Sequence, residues 1–305
     1  MNNKYFVCVN PMSGAGKAGK DWTAIKEKLH AAGLNFEYVL STAHRETILQ
    51  TQNAIESGYK KILSVGGDGT LHHVVNGIFL QNKIDYTEIE TSIISIGTGN
   101  DWVRYYNFPN NYDEAIKIIK QGKHIHQDVG LLSYENGTKK EYFMNFAGIG
   151  FDAYVVEHTA DLKKYGAGAY YYGLLKSLFQ YNNVPLEVYA DGNLVAKDKA
   201  FIAIIGLGKY IGGGMKLCKN ATLDDGFLDL TLGKNLTKFE ITTLLPKLFS
   251  GNFLDHPKVN AVKCKKVKVL TNGSKTTKAE TDGELIGIGD FEIELIPKAL
   301  KTVIP

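Results

Sequence analysis

In the first hundred residues, three short apolar runs each lead at once into a glycine-rich stretch and then into a helix-spaced segment. The loops are 10-NPMSGAGKAGK-20 after Tyr5–Val9, 66-GGDGT-70 after Lys61–Val65, and 97-GTGNDW-102 after Ser92–Ile96. These runs, together with Phe36–Leu40, are rich in β-branched or aromatic residues, which predicts strands. Between them, Trp22, Ile25 and Leu29 share one helical face that stops at Gly33, and Ile48 to Ile55 form a second that stops at Gly58. Leu71, Val74, Val75, Ile78 and Phe79 follow helical spacing, and Asp113–Lys120 reads as one more helix, ended by Gly122. Strand–helix–strand units repeated at this length demand a parallel sheet flanked by helices.

The texture changes near Asp128. Strand signals follow at Val129–Tyr134, Glu141–Phe146, Leu186–Ala190, Ala200–Gly206, Phe227–Leu232, Val267–Thr271 and Phe291–Ile296. Asn136-Gly137, Asp191-Gly192 and Asn272-Gly273 carry hairpin chemistry. Two helical inserts interrupt, Asp152–Tyr181, broken at its glycines, and Thr237–Phe249. The expected architecture is an α/β unit with a parallel sheet over 1–127 and a mainly antiparallel β-sandwich over 128–294.

With 305 residues the chain is long enough for two such cores. A formal charge of +3 is too mild to argue for nucleic acid. Cys8, Cys218 and Cys264 have no paired spacing and read as reduced thiols. No window approaches the ~20 apolar residues of a membrane span, and the N-terminus lacks a signal-peptide core. The expectation is a cytoplasmic protein.

Glycines at strand ends ahead of helices expose backbone N–H groups, which favours an anion. Gly14 to Lys20 fits G-x-x-x-x-G-K, but Asp21 stands where a P-loop has Ser or Thr, so a true P-loop is not expected. Thr70 is a candidate helix cap, an explanation that leaves Asp68 unaccounted for. Asn100 and Asp101 repeat the small-then-acidic arrangement in the third loop. In 222-TLDDGFLDL-230, Asp224 and Asp225 suit either a turn or a hard cation. In 280-ETDGELIG-287, Asp282-Gly283 is a candidate hairpin turn; an extended segment would instead put Asp282 and Glu284 on one face. The run 263-KCKKVKVL-270 reads as a solvated edge strand. Tyr165, Tyr170–Tyr172, Leu174, Leu175, Leu178 and Phe179 look first like a helix on a core, with a lipid-facing surface as the lesser reading.

The ordered set NP-x-SG, GGDGTLHHVVNG, IGTGNDW, NFAGIGFDA, LDDGFLDL and TDGE resembles the diacylglycerol-kinase catalytic family, which includes bacterial lipid kinases and sphingosine kinases. The likeness runs from about Asn10 to Glu284. GGDGT is shared with NAD kinases, whereas GTGND and the late DGE are more specific. The resemblance implies a nucleotide-binding α/β domain, a β-sandwich domain, and a C-terminal segment, about 295–305, returning to the first. It implies ATP-dependent phosphorylation of a lipid hydroxyl at a membrane surface, with ATP and Mg²⁺ required, peripheral membrane association, and no nucleic acid. A homodimer is left open.

Carried over by residue, Asn10, Pro11, Met12, Ser13, Gly14, Thr42 and Thr98 would contact the nucleotide. Gly66, Gly67, Asp68, Gly69, Thr70, Leu71 and His72 would form the main phosphate loop, with Asn100 and Asp101 beside it. Asp225, with carbonyls of Thr222 and Phe227, matches a structural magnesium site, and Asp282 and Glu284 match the catalytic carboxylates, between which the sequence does not choose. His73 departs from the family's habit of Glu at that place. Two other functions stay open: an NAD kinase-like enzyme with a soluble acceptor, and a nucleotide- or lipid-binding regulator without turnover.

Overall fold

The computed structural model describes residues 4–159, 162, 167–274 and 276–305. The chain divides into two compact units, residues 1–127 with 298–305, and residues 128–297. Unit one contains β1 (Tyr5–Val9), α1 (Lys17–Ala31), β2 (Phe36–Leu40), α2 (Glu46–Glu56), β3 (Lys61–Gly66), α3 (Asp68–Leu80), β4 (Glu90–Ser95), α4 (Asp101–Tyr105) and α5 (Tyr112–Gln121), followed by the start of β5 (His124–Tyr134). The strands run parallel in the order β4-β3-β1-β2, so the three glycine-rich loops leave adjacent strands at the same sheet end.

The core of unit one follows the sequence pattern. Ala18, Trp22, Ile25 and Leu29 of α1 pack with Val7, Val9, Leu63, Val65 and Ile94 of the sheet and with Ile116 and Ile119 of α5. Helix α3 is different: every residue from Thr70 to Phe79 is buried, His72, His73 and Asn76 included. The helix contacts both β3 and α2, and a Cβ at Gly77 would sit 2.5 Å from Thr51 Cβ and 2.8 Å from the Ile48 carbonyl oxygen. Gly77 thus lets two helix backbones approach closely.

Unit two contains the rest of β5, β6 (Lys139–Phe143), β7 (Phe146–Gly150), α6 (Phe151–Thr159), α7 (Ala167–Gln180), β8 (Val184–Ala190), β9 (Asn193–Gly206), β10 (Leu228–Lys234), α8 (Lys238–Ser250), β11 (Val259–Cys264), β12 (Lys266–Leu270), β13 (Lys278–Thr281), β14 (Glu284–Ile288) and most of β15 (Phe291–Val303). Its antiparallel order is β14-β13-β7-β9-β8-β12-β15, with β10 and β11 added to β9 and a β5–β6 hairpin. After Lys298, whose φ is +50°, the end of β15 pairs parallel with β4 through Lys301 and Glu90. All three cysteines are buried free thiols.

Several sequence expectations need correction. The single strand expected at Glu141–Phe146 is two strands, β6 and β7, separated at Met144-Asn145. Asn136-Gly137 and Asp191-Gly192 do close hairpins, whereas Asn272-Gly273 makes a left-handed turn without joining paired strands. The lysine-rich β12 is not an edge: it lies between β8 and β15, where Lys266 pairs with Glu292 and Glu294. The aromatic helix is half core and half surface, with Leu178 buried and Tyr172 and Phe179 exposed. Tyr165 lies outside the described residues, as do the side chains of Tyr170 and Tyr171. Among the described residues no helix is long and apolar enough to cross a membrane.

Helix α8 begins with a capping box. The Glu240 N–H donates to Thr237 Oγ1 at 3.2 Å, and the Thr237 N–H donates to Glu240 Oε2 at 2.8 Å. Lys258 Nζ lies 2.8 Å from the same carboxylate, and this cation, with the Thr237 donors, holds Glu240 down to about 2. Thr237→Ala is expected to lower stability by about 1 kcal/mol, read from chemical denaturation at neutral pH. A depressed carboxyl stabilises above its ordinary value of 4.5 and stops doing so as pH falls towards about 2. The deficit of the variant should therefore shrink on acidification.

Candidate active site

The first two loops of unit one are joined by small polar groups. The Asn10 N–H donates to the Val65 carbonyl at 3.0 Å, and Asn10 Nδ2 donates to Thr70 Oγ1 at 3.3 Å. Ser13 Oγ lies 3.2 Å from the same hydroxyl and accepts from the Gly67 N–H at 3.4 Å. The cap of α3 is Gly67, so Thr70 is not the cap its position suggested; its hydroxyl ties the first loop to the second. A Cβ at Gly66 would stand 2.3 Å from that hydroxyl. The third loop meets the second through bare backbone: a Cβ at Gly97 would fall 2.7 Å from Gly67 Cα.

Asp68 opens α3, where a carboxylate complements the helix dipole. Its Oδ2 accepts the Asp101 N–H at 2.7 Å, and Asn100, with φ +52°, turns the third loop so that this amide is presented. Asp101 is buried, with Arg104 Nε 3.6 Å from its Oδ1. A Cβ at Gly99 would be 3.8 Å from an oxygen of each aspartate. Two carboxylates flanking one exposed glycine loop are the donor chemistry that a hard cation such as Mg²⁺ takes.

The remaining expected nucleotide contacts divide by exposure. Met12 and Thr98 are exposed, and Pro11 and Gly14 lie in the same half-exposed loop. Thr42 gives its N–H and hydroxyl to Glu46 Oε2, at 2.6 and 3.0 Å; these bonds, with that from the Ala43 N–H, hold Glu46 below the usual carboxylate range. Leu71 and His72 are wholly buried in α3 and present no surface. His73 is buried too, its ring edge-on to His44 at 5.4 Å and to His72 at 5.8 Å.

In unit two the acidic turn is a hairpin. Asp282 (φ +49°) and Gly283 (φ +86°) join β13 to β14, with Thr281 opposite Glu284. The same-face arrangement expected for an extended segment does not apply, because Asp282 stands in a left-handed turn. Its carboxylate is turned inward. The Met144 N–H donates to Oδ2, and the Asn145 and Phe146 N–H groups donate to Oδ1, each at 3.0 Å. Those amides are the break between β6 and β7. Glu284, at the start of β14, is half-buried. Behind the turn, Glu280 Oε2 accepts the Gly283 N–H at 2.7 Å, and burial with the neighbouring Asp152 carboxylate pushes Glu280 well above the usual carboxylate range.

At the loop expected to hold a structural metal, Asp225 Oδ1 accepts the Phe227 N–H at 3.1 Å and Oδ2 lies 2.5 Å from Lys263 Nζ. Lys263 also pairs with Asp229 at 3.3 Å. A side-chain cation thus already neutralises the carboxylates, and as arranged the set of Thr222, Asp225 and Phe227 does not fit a divalent ion. Asp128, which in the sequence marks only the start of the second unit, braces this loop by accepting the Gly226 N–H at 2.7 Å. Lys263→Met should lower the melting temperature and make it rise on addition of Mg²⁺. An equal Mg²⁺ response in the unaltered protein would show that Lys263 does not occupy a metal's place.

The sequence signal for Glu280 was its spacing: it lies two residues before Asp282 on a strand whose partner is NFAGIGFDA. Asp152 is the one acid of NFAGIGFDA, and its sequence neighbours give it no partner.

A parallel α/β unit with three glycine-lined loops and an antiparallel unit with an inward aspartate and a half-buried glutamate on one turn together define a two-unit kinase class. Residues 4–132 match the diacylglycerol kinase catalytic domain, and residues 145–304 match the YegS C-terminal NAD kinase beta sandwich-like domain. The chain belongs to the diacylglycerol kinase family. It is 28% identical over 305 residues to a diacylglycerol kinase of Mycobacterium tuberculosis (strain ATCC 25618 / H37Rv), covering 99% of this chain and 95% of that protein. It is 27% identical over 271 residues to the diacylglycerol kinase of Staphylococcus carnosus (strain TM300), covering 88% and 85%. A crystal structure of a diacylglycerol kinase from Bacillus anthracis str. Sterne, 23% identical, superposes with a TM-score of 0.72 over 99% of this chain and 97% of that one, a likeness of fold alone. Another structure from that organism, 26% identical, reaches 0.77 over the same shares.

Proposed function

We propose that this kinase transfers the γ-phosphoryl group of ATP to a lipid hydroxyl, with diacylglycerol or a related lipid alcohol as acceptor. The observation that carries the reading is the division of labour in the acidic turn. Asp282 gives its carboxylate to three amides, a scaffold role, and Glu284 takes the role of base that accepts the hydroxyl proton. Phosphoryl transfer is mainly positioning and neutralisation of charge. Backbone N–H groups around Asn10–Gly14, Gly66–Thr70 and Gly97–Gly99 hold the phosphates, as strand-end loops leading into helices do. Mg²⁺ accompanies the nucleotide, and Asp68 and Asp101 are the residues that would hold it; when bound it supplies counter-charge to the phosphate oxygens. The nucleotide loops belong to unit one and the proposed base to unit two.

A lipid acceptor places the enzyme at a membrane surface from the aqueous side. The deciding experiment incubates the protein with labelled ATP, Mg²⁺ and extracted lipids, with NAD in a parallel arm, and identifies products by mass. Phosphorylated lipid is expected. Label in NAD alone would move the protein to the soluble-acceptor reading. ATP binding without any labelled product would make it a regulator.

A further inference from the structure

We propose that Glu280 and Asp152 form a proton-sharing carboxyl pair that positions the turn bearing Asp282 and Glu284. The pair is built from three elements. Glu280 stands on β13, wholly buried; Asp152 opens α6; and β7 runs alongside, with Gly148 opposite Glu280. A Cβ at Gly148 would lie 2.4 Å from Asp152 Oδ2 and 2.6 Å from Glu280 Oε1. The glycine's missing side chain is therefore the space in which the two carboxyls meet. Both oxygens converge on that one point, and two buried carboxyls brought this close repel unless one carries a proton. The other oxygen of Glu280 accepts the Gly283 N–H at 2.7 Å. One side chain thus links the FDA segment of α6 to the backbone of the turn, directly before Glu284.

The electrostatic surroundings keep that proton in place. Burial is the largest cause raising Glu280 well above the usual carboxylate range, followed by the neighbouring Asp152 carboxylate; the charge of Asp282 adds to the rise, and the Gly283 N–H opposes it. The other ionisable groups on the elements packed against β13 give no counter-charge. On α6, Glu157 is already paired with Lys278 of β13 itself, and His158 lies on the exposed end. On β6, Lys139 is paired with Glu135, Lys140 is exposed and Glu141 is another acid. β14 contributes Glu284, and β7 contributes no ionisable group.

The sign follows. A group whose value is raised on folding stabilises while it holds its proton and ceases to as pH rises through its folded value. When the shared proton leaves, a hydrogen bond becomes repulsion between two buried carboxylates, and the turn loosens. Glu280 touches no substrate in this scheme; it is a positioning residue, and the inference rests on the reading of Glu284 as the base.

The test uses the full chain with Glu280→Gln, Glu280→Ala and Asp152→Asn. Hydrogen exchange of the 281–285 backbone, corrected for intrinsic rates, is followed against pH beside kcat and the KM for ATP. In the unaltered protein, exchange at Gly283 should quicken and kcat fall as pH rises. Glu280→Gln should keep near-normal kcat and lose that alkaline step, since its carboxamide accepts from Gly283 and donates to Asp152 without a shared proton. Glu280→Ala should lose at least about tenfold in kcat with the KM for ATP unchanged, the cost of a misplaced base. An unchanged alkaline step in Glu280→Gln, or Gly283 exchange indifferent to all three substitutions, overturns the pair. Should Glu280→Ala not fold, the two isosteric variants still decide. Full turnover by Glu284→Gln would remove the base assignment but leave the exchange result standing.

Discussion

Glu284→Gln is expected to lower kcat by about 10²- to 10⁴-fold, the usual contribution of a positioned general base, with fold and ATP affinity retained. The carboxamide has the size of the carboxylate but cannot take a proton from an attacking hydroxyl. Glu284 is half-buried at the start of β14, so the exchange leaves the pairing of β13 and β14 intact. Asp282→Asn should behave differently. Three amide N–H groups point at the two oxygens of Asp282, and a carboxamide replaces one acceptor by a donor facing a donor. Leaving a buried N–H without its acceptor costs about 1–3 kcal/mol, so this variant should melt earlier as well as turn over slowly. Thermal unfolding measured beside single-turnover kinetics separates the two. If Glu284→Gln is the unstable variant and Asp282→Asn the stable, inactive one, the roles are reversed.

The same contrast marks the limit of sequence reading. Strands β1 to β4 of unit one were legible because β-branched runs and helical spacing are local signals, and α1 packs with the residues its spacing singled out. The role of Asp282 was not, because its partners stand 136 to 138 positions away along the chain. Alternation in an imagined strand gave Asp282 and Glu284 a common face; the Asp-Gly dipeptide, whose left-handed turn was the other option, decides against it. Thr70 shows the same limit: capping is a local inference, and the Asn10 amide and Ser13 hydroxyl that claim it follow another strand. Strands β13 and β14 carry no strand signal of their own, because KAET and ELIGI are short and hold charged residues. Lys263 looked like edge protection until the fold set it between Asp225 and Asp229. Asp68 posed the sharpest puzzle, an acid among phosphate-binding glycines, and its acceptance of the Asp101 amide supplies a structural reason for it.

Gly97→Ala should abolish ATP binding, whereas Gly99→Ala, two residues on in the same loop, should fold normally. The reason lies in what each new methyl meets. At Gly97 it would stand 2.7 Å from Gly67 Cα and 2.5 Å from Asn100 Oδ1. The asparagine could rotate, but the Gly67 backbone cannot, since it caps α3 and donates its N–H to Ser13 Oγ. Relief therefore requires the second and third loops to part, which strains the Asp68–Asp101 bond and shifts the N–H groups proposed to hold the phosphates. Overpacking of this kind costs about 1–3 kcal/mol of stability, and the loss in nucleotide affinity should be larger than that cost, because the displaced atoms are the ligand's own contacts. At Gly99 the nearest atoms are carboxylate oxygens 3.8 Å away, an ordinary contact, so any effect there should appear as a changed Mg²⁺ dependence of ATP binding and not as a loss of fold. Calorimetric titration of ATP at several Mg²⁺ concentrations, with unfolding measured on the same samples, tests both. Normal ATP affinity in a folded Gly97→Ala protein would mean that the junction of the two loops does not form the nucleotide site.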